Sequence, residues 1–193
     1  HYINMKHLNI LLVNNKSKSI HKLIELLNIY GQVNLIEFDT LKKESTDNYD
    51  LVVLSGSSQL YALYDTSKFV DELNLIRNSN TPIIGICFGF EIICLSFNSE
   101  IKQLNEEADD FRVIKLAEYF SGINYPVVVK EKHGWAITKT GIELEVLGTS
   151  KSGVEIIKHK TKNIFGFQFH PELFTDLTQG DSVLDFVLKK IFK

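Results

Sequence analysis

The chain is expected to form an α/β fold: an open, mostly parallel twisted sheet with helices on both faces, plus a smaller antiparallel sheet in the C-terminal half. Three observations point there. Leu8–Val13, Leu51–Leu54 and Ile83–Ile84 are continuous apolar runs, the signature of strands buried on both faces of a parallel sheet. Between them lie segments whose apolar residues recur at helical spacing, as in Ile20, Leu23, Ile24 and Leu27. In the second half the pattern turns to short alternating runs separated by turn residues, as antiparallel strands require.

In order, Leu8–Val13 is the first strand, and Ser17 or Ser19 is placed to cap the following helix, with Gly31 at its end. Val33–Phe38 reads as a second strand and Lys42–Asn48 as a loop. Leu51–Leu54 is a third strand, closed by the turn Ser55-Gly56-Ser57-Ser58. Asp65 or Thr66 precedes a helix with Phe69, Val70, Leu73 and Ile76 inward, and Pro82 opens the fourth strand. From Asn98 to Tyr125 the periodicity fades, and Glu106, Glu107, Asp109 and Asp110 read as a solvated acidic loop. Val127–Val129 is a short strand, and Ile142–Leu147 and Val154–Ile157 a pair around the turn Ser150–Gly153. Phe165–His170 alternates strictly, with Phe165, Phe167 and Phe169 on one side and Gly166, Gln168 and His170 on the other. Ser182 and Asp185 open a last helix, ending in Lys189, Lys190 and Lys193, which complement its dipole.

With 193 residues, 44% hydrophobic and 23% charged, the chain suits one globular domain, 1–193. A net charge of -3 leaves no basic footprint for nucleic acid. The apolar runs fall short of a bilayer span, so no membrane partner is expected. Two cysteines, Cys87 and Cys94, make no disulfide framework and no Cys/His cluster has zinc spacing. No cofactor or metal is expected, and an intracellular, cytoplasmic setting is the simplest. The single methionine, Met5, suggests a native start there, with residues 1–4 a remnant or extension.

The chemistry begins at Gly85-Ile86-Cys87-Phe88-Gly89. A strand passing into a helix through Gly-x-Cys-x-Gly is the thiol counterpart of the Gly-x-Ser-x-Gly nucleophile elbow. It would leave the thiol at a helix N-terminus, where the pKa should fall. By itself the pentad fits a buried structural cysteine as well. His170-Pro171-Glu172 supplies the complement. Proline holds the preceding residue extended, and Glu172 can fold back onto one ring nitrogen, leaving the other outward as a base. Both Gly56 and Cys87 fall at carboxyl ends of strands, where ligands of open α/β sheets bind. Cys94 and His133 are expected to be structural and His159 to lie at the surface.

Joined in one α/β chain, GICFGFE at Gly85–Glu91 and FGFQFHPE at Phe165–Glu172 resemble the class I, triad-type glutamine amidotransferases over nearly the whole length. Within that family the likeness is greatest to the stand-alone amidotransferase subunits of archaeal-type GMP synthases. The resemblance implies a flavodoxin-like fold, with Cys87 as nucleophile, His170 as base and acid, and Glu172 as orienter. It implies oxyanion donors at Gly56, Ser57 and Phe88, and glutamine contacts at Ser58, Glu91, Gly134 and Trp135. Ammonia would pass to a separate ATP-dependent synthetase subunit, since no segment here resembles one.

Three positions depart from the family pattern. Gly56-Ser57-Ser58 replaces a Gly/Pro-rich loop, Lys132 replaces a small polar residue, and Glu91 stands where most members carry Gln. An ionised Glu only accepts hydrogen bonds, whereas a Gln also donates. Glu91 therefore raises a γ-glutamyl hydrolase or peptidase as an alternative, and the altered loop a non-catalytic regulatory relic.

Overall fold

A computed structural model describes residues 7–193. The expected start at Met5, with residues 1–4 as an extension, lies outside them. Nine strands, β1 Leu8–Asn14, β2 Gly31–Glu37, β3 Leu51–Leu54, β4 Ile83–Ile86, β5 Glu100–Leu116, β6 Val127–Lys139, β7 Leu144–Ser150, β8 Gly153–His159 and β9 Ile164–Phe167, form one sheet. Among the described residues four α-helices accompany them, three between strands and one after the last: α1 Ile20–Asn28, α2 Val70–Asn78, α3 Phe88–Ser96 and α4 Gly180–Ile191. The strand order is β2-β1-β3-β4-β9-β8-β7-β5-β6.

The α/β expectation stands, with a correction to its details. Pairings from β2 through β9 are parallel, and those from β9 through β6 are antiparallel. The sheet is therefore half parallel, and the antiparallel part is its hydrogen-bonded continuation instead of a separate small sheet. β9 makes the join, parallel to β4 on one edge and antiparallel to β8 on the other.

The buried strands β1, β3 and β4 carry apolar residues on both faces because two cores flank the sheet. On one side α1 contributes Leu23 and Leu27 and α4 contributes Val183 and Val187, all with no exposure. On the other, α2 and α3 pack Leu75, Ile76, Ile92 and Ile93. Burying each such side chain contributes roughly 1.5–3 kcal/mol.

Several local expectations change. Glu100–Leu116, read as a fading pattern with an acidic loop, is a long strand paired with β6. Its ribbon exposes most side chains on both faces, so no apolar alternation marks it. The short strand expected at Val127–Val129 runs on to Lys139, so residues 132–135 lie within β6. Gly31 opens β2, where a Cβ would collide with the Leu8 backbone. Val70 is half-exposed, while Glu72 takes the inward place on α2. Ser182 sits inside α4, which begins at Gly180. His159 is buried, edge-on to Phe97, and its Nδ1 accepts the Thr161 and Lys162 amide protons. No helix among the described residues is long and apolar enough to cross a membrane.

One polar network crosses from α2 to the strand ends. The Asn15 side-chain amide donates to Glu72 Oε1 at 2.7 Å and to the Ser55 carbonyl at 3.2 Å, and Ser55 Oγ accepts from the Asn15 amide at 2.8 Å. Glu72 is fully buried, its second oxygen has no partner, and burial pushes its pKa up to about 8 despite the Asn15 bond. The folded state therefore holds a proton that the unfolded chain loses near the ordinary carboxylate pKa. Stability should fall as pH rises from about 4.5 to about 8, by a few kcal/mol at most. In thermal melts Glu72→Gln should match the wild type near pH 5 and exceed it at pH 8–9; parallel curves at all pH values would contradict this.

Candidate active site

Cys87 links β4 to α3 with φ 51° and ψ -103°, a conformation that costs a non-glycine residue of order 1–3 kcal/mol. Its neighbours explain how it is held. The Cys87 amide donates to the Phe167 carbonyl at 2.8 Å, and its carbonyl accepts the Glu91 amide at 2.9 Å. A Cβ on Gly85 would overlap the Gly89 backbone, and one on Gly89 would overlap Leu54. Only glycine at both places lets the elbow close against β3.

His170 lies beyond β9, its amide donating to the Lys130 carbonyl of β6 at 3.0 Å. Its Nδ1–H donates to Glu172 Oε1 at 2.7 Å, and that oxygen also accepts from Ser19 Oγ at 2.8 Å. The carboxylate of Glu172 thus folds back onto one ring nitrogen of His170. A Cβ on Gly56 would stand 3.0 Å from His170 Cε1 and 3.4 Å from Cys87 Cβ. Gly56, Cys87 and His170 thus meet in one place at the carboxyl ends of β3, β4 and β9. Phe88 begins α3, with its ring buried edge-on against Phe69.

The rest of the site divides. Glu91 is buried on the first turn of α3, and Gln168 Nε2 donates to its Oε2 at 2.9 Å. The same Nε2 lies 3.9 Å from Cys87 Sγ. Ser57 Oγ accepts the Gln59 and Leu60 amide protons and so shapes the loop. Ser58 is exposed, and both its amide and its hydroxyl donate to the Lys16 carbonyl. Gly134 faces open space where a Cβ would stand. Trp135 is buried and packs edge-on against Tyr64. What β6 brings to the thiol is the Lys132 carbonyl, 3.5 Å from Cys87 Sγ and 3.4 Å from His170 Nε2.

Sequence reading misses Gln168, Ser19 and the Lys132 carbonyl. Gln168 is signalled only by sharing a face with His170 in FGFQFH. Ser19 looks like a helix cap until the fold sets Glu172 above it. A backbone carbonyl carries no sequence signal at all.

The electrostatics depart from expectation. Burial raises the Cys87 thiol, outweighing the pull of His170 in the other direction, so the helix terminus does not by itself yield a low-pKa thiol. Burial works against a charged His170, but Cys87 and Glu172 overcome it and raise the imidazole well above its usual range. Burial also lifts Glu91 to about 7, against the Gln168 hydrogen bond and the nearby His133 and His170. Cys94 is buried and raised further still, as befits a structural thiol.

A cysteine on a strained strand-to-helix elbow, facing a carboxylate-paired histidine at a strand end, is a nucleophile–base–orienter arrangement. The family model for class-I glutamine amidotransferases matches residues 11–190. The chain belongs to this family.

Among its relatives, a subunit of the glutamine-hydrolyzing GMP synthase of Methanococcus aeolicus is 30% identical over 175 residues, covering 85% of this chain and 88% of that protein. Its counterpart of the same name from Methanococcus maripaludis is 29% identical over 190 residues, covering 94% and 96%. In fold, the chain is similar to a putative GMP synthase subunit from Thermoplasma acidophilum, with TM-score 0.82, 23% identity and coverage of 96% and 95%. A glutamine amidotransferase from Thermotoga maritima superposes with TM-score 0.70 at 18% identity, covering 97% and 87%.

Because burial raises the Cys87 thiol, its alkylation by iodoacetamide should accelerate with pH up to and beyond 9, while Cys94 stays unlabelled in the folded protein. His170→Ala removes the group that lowers Cys87 and should slow labelling further at pH 7–8. Mass spectrometry of labelled peptides checks both, and a rate plateau below pH 8 would contradict the dominance of burial.

Proposed function

We propose that this amidotransferase hydrolyses the γ-amide of glutamine through Cys87, His170 and Glu172 and delivers ammonia to a synthetase on another chain. The observation that carries this reading is the 2.7 Å His170–Glu172 bond placed beside a strained Cys87 elbow. In this reading His170 Nε2 takes the proton of the Cys87 thiol as the sulfur attacks the amide carbon, and the C–N bond breaks as His170 passes that proton to the departing ammonia. Water, deprotonated by His170, then cleaves the γ-glutamyl thioester to glutamate. Glu172, braced by Ser19, keeps the imidazole aimed and offsets its charge. Backbone amides at Gly56, Ser57 and Phe88 meet the developing oxyanion, each worth about 10²–10³ in rate. Gly134, in open space, and Trp135 line the approach for the amino-acid end of glutamine, while Ser58 braces the oxyanion loop on Lys16.

The relatives' shared name, a subunit of glutamine-hydrolyzing GMP synthase, supports a GMP-forming synthetase as the partner, and an ATP-dependent partner and a cytoplasmic setting belong to the same proposal. Their coverage of nearly the whole chain fits one domain across its length. The Lys132 carbonyl accepts from both Cys87 and His170, so entry of glutamine requires that carbonyl to give way. Activity is therefore expected to be greater when the synthetase is bound.

Glu91 favours a second reading, a γ-glutamyl hydrolase or peptidase. With a pKa near 7, its carboxyl can donate like the family's Gln only on the acid side of neutrality. Ammonia and glutamate release from glutamine, with and without an added synthetase, is compared with γ-glutamyl peptide cleavage. Glutaminase activity is expected, with Cys87→Ala below about one thousandth of it. Peptide cleavage alone would select the second reading, and silence in both assays with the synthetase present would leave a regulatory relic. Glu91→Gln should remove an ionisation near pH 7 from the kcat/KM profile and raise glutamine turnover on its alkaline side; an unchanged profile would exclude Glu91 from reading the amide.

A further inference from the structure

Outside the catalytic triad, β6 and β8 bury a second polar cluster. Glu131 and His133 alternate onto the inward face of β6, and Glu155 comes from β8. Glu131 and Glu155 have no exposure and His133 has 4%.

Part of each side chain is already engaged. His133 Nδ1–H donates to the Trp135 carbonyl at 2.6 Å. Ser150 Oγ donates to Glu155 Oε1 at 2.6 Å, and Arg112 Nε and Ser152 Oγ donate to Glu131 Oε2 at 3.2 and 3.0 Å. Left over are Glu131 Oε1, His133 Nε2 and Glu155 Oε2, all buried and without a hydrogen-bond partner. With Nδ1–H committed to a carbonyl, a neutral imidazole presents a lone pair at Nε2, so all three leftover atoms are electron-pair donors. The three side chains offer ligand atoms within 4.8 Å of one another. His133 Nε2 also stands 3.3 Å from Glu131 Oε2. Crowded acceptor atoms are costly in a dry interior, and either a shared proton or a cation removes that cost.

We propose that Glu131, His133 and Glu155 form a site for one zinc-class divalent cation, with the fourth coordination position taken by water. One imidazole nitrogen with two carboxylate oxygens is a zinc donor set, whereas calcium and magnesium call for oxygen alone. The hydrogen bonds from His133 to the Trp135 carbonyl and from Ser150, Ser152 and Arg112 to the carboxylates are the outer support that such ligands require. Two carboxylates balance the ion's charge, and Arg112 stays on the outer oxygen of Glu131. A tetrahedral ion with bonds of about 2.0–2.2 Å needs ligand atoms roughly 3.4 Å apart, which side-chain rotations of about 1 Å provide. Ser152, whose hydroxyl donates to Glu131 Oε2, lies next to the exposed Lys151. The ion would fasten β6 to β8 beside the Lys132 carbonyl. No zinc spacing is legible in the sequence because the third ligand arrives from another strand.

The test uses the full chain as Cys87→Ala, since the thiol and imidazole of the triad would themselves capture zinc. Equilibrium dialysis against zinc chloride and metal analysis should give one zinc per chain. Cobalt(II) in its place should show tetrahedral ligand-field bands. Glu155→Gln in the same background should weaken binding at least tenfold, and Ser150→Ala, which keeps every ligand, by about 10–100-fold, with circular dichroism unchanged. Absence of stoichiometric zinc would overturn the proposal and leave a proton between the two carboxyls. Binding that both variants leave intact would overturn it equally. If the variants misfold, the cobalt spectrum of the Cys87→Ala chain decides, and octahedral bands alone count against the site.

Discussion

Everything around the candidate catalytic centre depends on the backbone of Cys87 being held at φ 51°. An L-residue leaves that conformation unless its surroundings over-determine it. Here the clamp is made of backbone. The Cys87 amide is bonded to β9, its carbonyl is the first acceptor of α3, and Gly85 and Gly89 allow the elbow to lie against Leu54 of β3. The same bond to Phe167 ties the elbow to the strand that leads to His170. One contact therefore bears on both the strain at Cys87 and its spacing from His170.

The centre is dry, and that governs its charges. Burial opposes ionisation of Cys87, Glu91 and His170 alike, yet His170 is raised because Cys87 and Glu172 lie against it. A buried imidazolium is stable only with a carboxylate in hydrogen-bond contact, and Glu172 is itself supported by Ser19. A similar solution appears under the Ser55–Ser58 turn, where burial keeps Glu72 protonated against Asn15, which in turn holds Ser55, without bringing a charge into the interior. The Lys132 carbonyl completes the resting arrangement by accepting from both reactive groups.

Much of this was legible in the residues. The apolar runs located β1, β3 and β4 because strands covered on both faces have no polar side to interrupt them. FGFQFH and the elbow pentad were readable because their chemistry is local: Pro171 follows His170 directly, and the glycines flank Cys87. The β5–β6 ribbon was hidden because both its faces meet water along much of its length, so neither period marks it. His159 looked exposed among lysines but is drawn inward by Phe97, from a distant helix end.

The sequence by itself determined the α/β class, the elbow, and the identity of a carboxylate-paired histidine, since each rests on neighbours within a few positions. Only the tertiary structure decided that the two halves share one continuous sheet, because β9 has two edges and its partners lie far away in the chain. Only it seats Gln168 between Cys87 and Glu91, and sets the Lys132 carbonyl against the thiol. It also gathers Glu131 and His133 with Glu155 from another strand. Those juxtapositions arise from packing between strands distant in sequence, and no local spacing encodes them.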